Sequence, residues 1–88
     1  MLGVRQVYGS GANYNANSLH INASVLFYTS NIQTAQNLPS DAIYGILDCI
    51  MYVDGRGIQT YQGLDNFSYR KMRKTEDGGS TWGNWSDV

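Results

Sequence analysis

The side chains with the most chemistry to offer lie close together near the C-terminal end: the guanidinium of Arg73 and the indoles of Trp82 and Trp85. A guanidinium presents a planar fork of N–H groups that matches a carboxylate or phosphate, and it also stacks on aromatic faces. An indole offers a broad apolar face suited to the C–H face of a sugar, with a polar N–H at its edge. Trp82 and Trp85 are three residues apart and cannot share one face of a regular strand, so the chain must turn or bulge between them. One ring can then be core and the other a surface platform for a sugar, or both rings can plug the end of a small core that needs aromatic bulk. Trp82 is assigned the buried, structural role because the preceding turn returns it over the sheet, and Trp85 the exposed one. Arg73 alternates with Lys71 and Tyr69, leaving Arg70 and Met72 on the opposite strand face. Taking the Met72 face as inner puts Arg73 outward, either as an anion clamp or as a structural cation–π partner of Trp82. Together Arg70, Lys71, Arg73 and Lys74 form the one positive patch of the sequence, the best place for an anionic ligand.

Gln59, Tyr61, Gln62, Asn66 and Tyr69 add a polar and aromatic set that can donate, accept and stack with few rotamers to freeze, the chemistry of glycan-binding surfaces. The same residues are ordinary on the wet face of an antiparallel sheet. Tyr61, Gln62, Tyr69, Arg73 and Trp85 are accordingly the candidate ligand-binding residues, whereas Trp82, Gln59, Leu47 and Gly45 are assigned structural roles. Gln59 beside a glycine turn suits a buried amide that satisfies loop backbone.

The inventory excludes more than it offers. Six Lys and Arg against seven Asp and Glu leave a net charge of −1, which removes the electrostatic drive that nucleic-acid and anionic-membrane binders use. A single Cys, Cys49, and a single His, His20, supply neither a disulfide framework nor a metal site, so no cofactor and no metal are expected. The acids are scattered, apart from Glu76-Asp77 inside a turn signal, and a non-enzymatic role is the expectation. No apolar run reaches the length that spans a bilayer, and the N-terminal segment lacks the pattern of a signal peptide. Charged residues are only 15% of the chain, so the surface must be made of amides, hydroxyls and glycine.

Eighty-eight residues make one thin domain. Residues 1–14, rich in Gly, Asn and Tyr, read as a linker from an upstream region, and residues 15–88 as the folded module. Asn15 or Asn17 can cap one helical turn. Val25 to Thr29 is a β-branched and aromatic run that ends near Ser30, ahead of a turn cluster around Pro39. Tyr44 to Val53 alternates, with Gly45, Leu47, Cys49, Met51 and Val53 on the inward face. Asp54-Gly55-Arg56-Gly57 then turns the chain into an antiparallel return strand through Gln62. Phe67 to Lys74 forms a further strand, and Glu76 to Ser80 closes a last hairpin onto Thr81 to Trp85. The predicted fold is mainly β: an antiparallel meander of four to five short strands with one or two helical turns.

In chain order the segments NSL, VLFYT, NLPSDAIYGILDCI, DGRGIQTYQ, SYRKMR and DGGSTWGNW resemble the pyocin-knob-like domains of bacteriophage tail fibres and R-type bacteriocin fibres. The resemblance runs from Asn17 to Trp85 and is most specific from Arg73 through Gly78-Gly79 to Trp82 and Trp85. Two positions depart from the family pattern: Ala23-Ser24 where a Gly is usual, and Asp48 in an otherwise apolar strand. The resemblance implies a β-rich knob in a homotrimeric adhesive fibre of a virion or phage-tail-like particle. It also implies a bacterial surface glycan as partner, either lipopolysaccharide, teichoic acid or capsule, or else a spacer role with another domain binding. Two alternatives from other classes are a carbohydrate-binding module appended to a glycan-degrading enzyme and a small hydrolase or lyase whose site forms between subunits.

Overall fold

A computed structural model describes residues 6–88; residues 1–5 of the expected linker lie outside the described residues. Six strands form one sheet in sequence order: β1 (Gln6–Gly9), β2 (Ala23–Phe27), β3 (Gly45–Met51), β4 (Gly57–Gly63), β5 (Arg70–Thr75) and β6 (Ser86–Asp87). From β2 onward every pair is antiparallel, whereas β1 runs parallel to β2. The mainly β class stands. The strand count rises to six because a piece of the expected linker, Gln6–Gly9, adds to the free edge of β2, and because the final return strand is the two-residue β6. Among the described residues a 3-10 turn at Ala16–Ser18 and a single α-helical turn, α1 (Thr29–Ile32), are the helical elements. Asn15 is the acceptor of the two candidate caps: its side chain takes the N–H of Asn17 at 2.9 Å.

Register decides which face each side chain meets. The β3–β4 hairpin pairs Met51 with Gly57, Cys49 with Gln59 and Leu47 with Tyr61, and β5 continues the rows by pairing Gln59 with Arg73. One row of the inner face is therefore Ala23, Cys49, Gln59 and Arg73, and the next contains Val25, Leu47, Tyr61 and Lys71. Side chains alternate along each strand, so the apolar odd positions of β3 carry Gln59, Tyr61 and Arg73 inward with them.

The core lies on this face. Val25, Phe27, Leu47, Cys49 and Tyr61 are buried, under Ala16 and Leu19 from the 3-10 segment. Tyr14, Ile32, Ala35, Leu38, Trp82 and Trp85 pack around them. Loops rather than a second sheet or a long helix cover the core. They are held by their own backbone pairing: the Gln36 N–H donates to the Tyr14 carbonyl at 2.7 Å, and the Ala16 N–H to the Gln36 carbonyl at 2.9 Å. Four rings cross the inner face in contact: Tyr14 to Phe27 at 5.4 Å, Phe27 to Tyr61 at 6.1 Å and Tyr61 to Tyr69 at 6.2 Å between centroids. The opposite face carries Leu26, Ile46, Ile58 and Met72, half-buried, with the Ser24 hydroxyl donating to Asp48 at 2.6 Å.

Two strand boundaries differ from the sequence expectation. The strand expected from Phe67 starts at Arg70, because Asn66 folds the preceding residues into a turn: its side chain accepts the Ser68 N–H at 3.0 Å and its carbonyl the Tyr69 N–H at 3.0 Å. Val53, expected inward, is 95% exposed, since β3 ends at Met51 and Val53 sits in the hairpin loop.

Gly45, like Gly57 and Gly63, sits where backbone leaves no room for a side chain. A Cβ there would collide with the Gln62 carbonyl oxygen and meet Tyr61 Cε2 at 3.0 Å. Gly45→Ala is expected to cost about 2 kcal/mol by overpacking against backbone that cannot yield without opening the β3–β4 pairing. Urea denaturation would register this as a lowered midpoint.

Candidate functional site

The site is built on the row that ends at Arg73. The preceding three strands fix its position, and β5 hands its side chain to the covered face, where only 7% of the residue is exposed. Arg73 Nε–H donates to Gln59 Oε1 at 2.8 Å and an Nη2–H donates to Asn17 Oδ1 at 2.8 Å. Gln59 is itself fully buried and uses its amide nitrogen on two loop carbonyls, those of Ala16 at 2.7 Å and Leu19 at 2.8 Å. One glutamine thus joins the 3-10 segment, the sheet and the guanidinium. Both indoles lie against Arg73, with its Cζ 5.1 Å from the Trp82 ring centroid and 4.7 Å from that of Trp85.

These placements correct two expectations. Arg73 points inward rather than outward, since the inner face of β5 is that of Lys71, Arg73 and Thr75 and not that of Met72. The supposed cationic patch is consequently divided. Arg70 and Lys74 are exposed on the other sheet face, Lys71 is ion-paired with Asp87, and Arg73 is buried. The two indoles share one environment: both are half-buried and pack against the core. The turn after Thr75 brings them there. The Thr75 hydroxyl donates to the Thr81 carbonyl at 2.7 Å and Asp77 accepts the Thr81 N–H at 2.9 Å, while Gly78 and Gly79 take φ of 72° and 90°. These positive φ values are open to glycine without strain. Hydrogen bonds from Thr81 and Thr75 hold the Asp77 carboxyl down at about 2. The Trp85 indole N–H donates to the carbonyl of Asn37 at 2.9 Å, and Asn37 itself adopts φ of 64°. Trp85→Ala is expected to lose about 2 kcal/mol, combining half an indole's burial with this bond and the cation–π contact, and thermal unfolding would show it.

The other candidates are placed elsewhere. Tyr61 was expected to face a ligand, yet it is completely buried, and its hydroxyl donates to the Ile43 carbonyl at 2.6 Å; burial pushes its pKa well above the usual phenol range. No ligand arriving from solvent reaches that ring. Gln62 spends its amide nitrogen on the loop after β4, donating to the Gly63 carbonyl at 2.8 Å and the Phe67 carbonyl at 3.2 Å. Tyr69 is half-buried and donates to Asp41 at 2.7 Å, with the Lys71 ammonium 5.4 Å from its ring centroid. Burial and the Asp41 carboxylate both raise the Tyr69 pKa. Arg73 and Trp85 are thereby brought together, and Tyr69, Tyr61 and Gln62 form no common surface with them. Leu47 and Gly45 are buried within the sheet.

A pocket of about 270 Å³ opens beside Arg73, lined by Asn17, Asn37, Leu38, Arg73, Trp82, Gly83, Asn84 and Trp85. Its three asparagines come from three separate loops, which is why no spacing in the sequence singled them out. A larger hollow of about 500 Å³ lies on the other sheet face by Ile50, Ile58 and Lys74. Its buried polar residue, Thr75, spends its hydroxyl on Asp77 and the Thr81 carbonyl, so the smaller pocket is the chemically specific one. Arg73 stays ionised at neutral pH although burial lowers its pKa to about 10. Among the described residues no cluster of His, Cys, Asp and Glu could hold a metal ion.

The thin loop-covered sheet, closed by an Arg against two indoles, has a counterpart of similar fold among solved structures. The N-truncated R2-type pyocin tail fibre superposes with a TM-score of 0.78 over 99% of this chain, at 19% sequence identity. The chain spans about a third of that fibre's length, 33%, and at this identity the likeness is one of fold. No family model and no curated protein sequence matches the chain.

Proposed function

We propose that this chain is a non-enzymatic knob module of a tail fibre, in a virion or a phage-tail-like particle, that supports or performs attachment to a bacterial surface polysaccharide. The observation that carries the reading is the shared fold with a pyocin tail fibre along nearly the whole chain. In the parent fibre the module is a homotrimer. The half-buried Leu26, Ile46, Ile58 and Met72 on the face away from the loops support this, because a thin domain gains stability by covering such a face with a neighbouring copy.

Light scattering on the purified chain, with a labelled-protein adhesion assay on bacterial cells, tests the proposal. The expected result is a trimer retained on cells and released by their own purified lipopolysaccharide, teichoic acid or capsule. A monomer that binds a soluble neutral oligosaccharide unaided would replace the fibre reading with that of a carbohydrate-binding module from a glycan-degrading enzyme. A trimer with no adhesion would reduce the role to a spacer.

A further inference from the structure

We propose that the pocket beside Arg73 is a subsite for an acidic unit of a surface glycan, one bearing a carboxylate or a phosphate on a sugar or polyol. This rests on the attachment reading and adds the chemical class of the ligand. A guanidinium carries five N–H donors, and two of the Arg73 donors are committed, one to Gln59 and one to Asn17. Nη1 donates to no protein group among the described residues, and it is not among the buried polar atoms left without a partner, so it is open to solvent. Arg73 itself lines the pocket.

The charge is also unmatched. No carboxylate lines the pocket, and the ion pairs of the described residues, Arg56 with Asp54 and Lys71 with Asp87, leave Arg73 out. Two indole faces and two amide oxygens hold the cation without neutralising it. A purely structural guanidinium in so thin a core is more cheaply replaced by an apolar side chain of similar size. One that keeps unused N–H groups pointed at a polar opening is suited to receive an oxyanion in a charge-assisted, forked hydrogen bond. The half-buried indoles beside it offer apolar surface to a sugar's C–H face, and the exposed Asn84 amide is a donor and acceptor for its hydroxyls.

The test is a titration of the native chain with D-glucuronate, sn-glycerol 3-phosphate and neutral methyl glucoside at fixed ionic strength. The readouts are the Arg73 Nε–H and the two indole N–H resonances. Either or both acids are expected to shift these signals saturably while methyl glucoside does not, and the tighter-binding acid distinguishes a uronic-acid polymer from a teichoic-type one. Arg73 variants risk unfolding, so the decisive variant is Asn84→Asp, which sets a negative charge at the exposed rim. It is expected to weaken acid binding by about tenfold or more with an unchanged melting temperature. Equal response to the neutral sugar, no response to either acid, or native affinity in Asn84→Asp would overturn the subsite. Cell adhesion is measured separately: a chain that binds glucuronate yet does not adhere fails the attachment reading alone, and one that adheres without binding either acid fails the subsite alone.

Discussion

Gln59→Leu is expected to remove about 4 kcal/mol of folding stability, a large share of the roughly 5–10 kcal/mol that a domain of this size possesses. Leucine has nearly the volume of glutamine, so the substitution opens little cavity and its effect isolates the polar role. The carbonyls of Ala16 and Leu19 lose their donor, and the Arg73 Nε–H loses its acceptor, all within a covered layer. Each unsatisfied buried group costs about 1–3 kcal/mol, and the charged one lies at the upper end. The 3-10 segment is the first structure to go, since Ala16 and Leu19 are the buried residues it contributes to the core. Urea unfolding would show the loss, and hydrogen exchange at Ser18 and Leu19, whose N–H groups bond within that segment, would show where it begins.

Tyr61→Ala is expected to be equally damaging, by about 4 kcal/mol, through the loss of a fully buried ring at the centre of the aromatic row. Phe27, Tyr69 and Leu47 would face a void that the flanking strands, fixed in register, cannot close. Tyr61→Phe keeps the packing and deletes only the bond to the Ile43 carbonyl, so about 1 kcal/mol is expected there. Melting temperatures of the two variants should differ by roughly 10–20 °C. A small effect of both would place the ring at the surface.

The contrast between β3 and β4 shows what the sequence discloses. Strict alternation of Leu47 and Cys49 with Ile46 and Asp48 marks the inner face of β3 without further help. In β4 one face carries Ile58, Thr60 and Gln62 and the other Gln59 and Tyr61, each a mixture of polar and less polar types, and no periodicity says that Gln59 and Tyr61 turn inward. Only the loop length does. Five residues between Met51 and Gly57 fix the pairing, and the pairing carries the inner face from Cys49 to Gln59 and on to Arg73. An arginine on a core face contradicts the ordinary expectation for charge, and its neutral amide and indole partners lie up to 56 residues away in the chain. Strand β1 was illegible for a different reason. Four residues with Val7 and Tyr8 exposed have no inward pattern of their own and are ordered by parallel pairing with β2.

Nitrogen-15 NMR of Arg73 tests the central claim, that a buried guanidinium held by Gln59 and flanked by two indoles organises this end of the sheet. An Nε–H resonance moved upfield by the ring currents and protected from exchange with water is the result the structure requires. A sharp signal at the random-coil position, exchanging as fast as that of an exposed arginine, would contradict it.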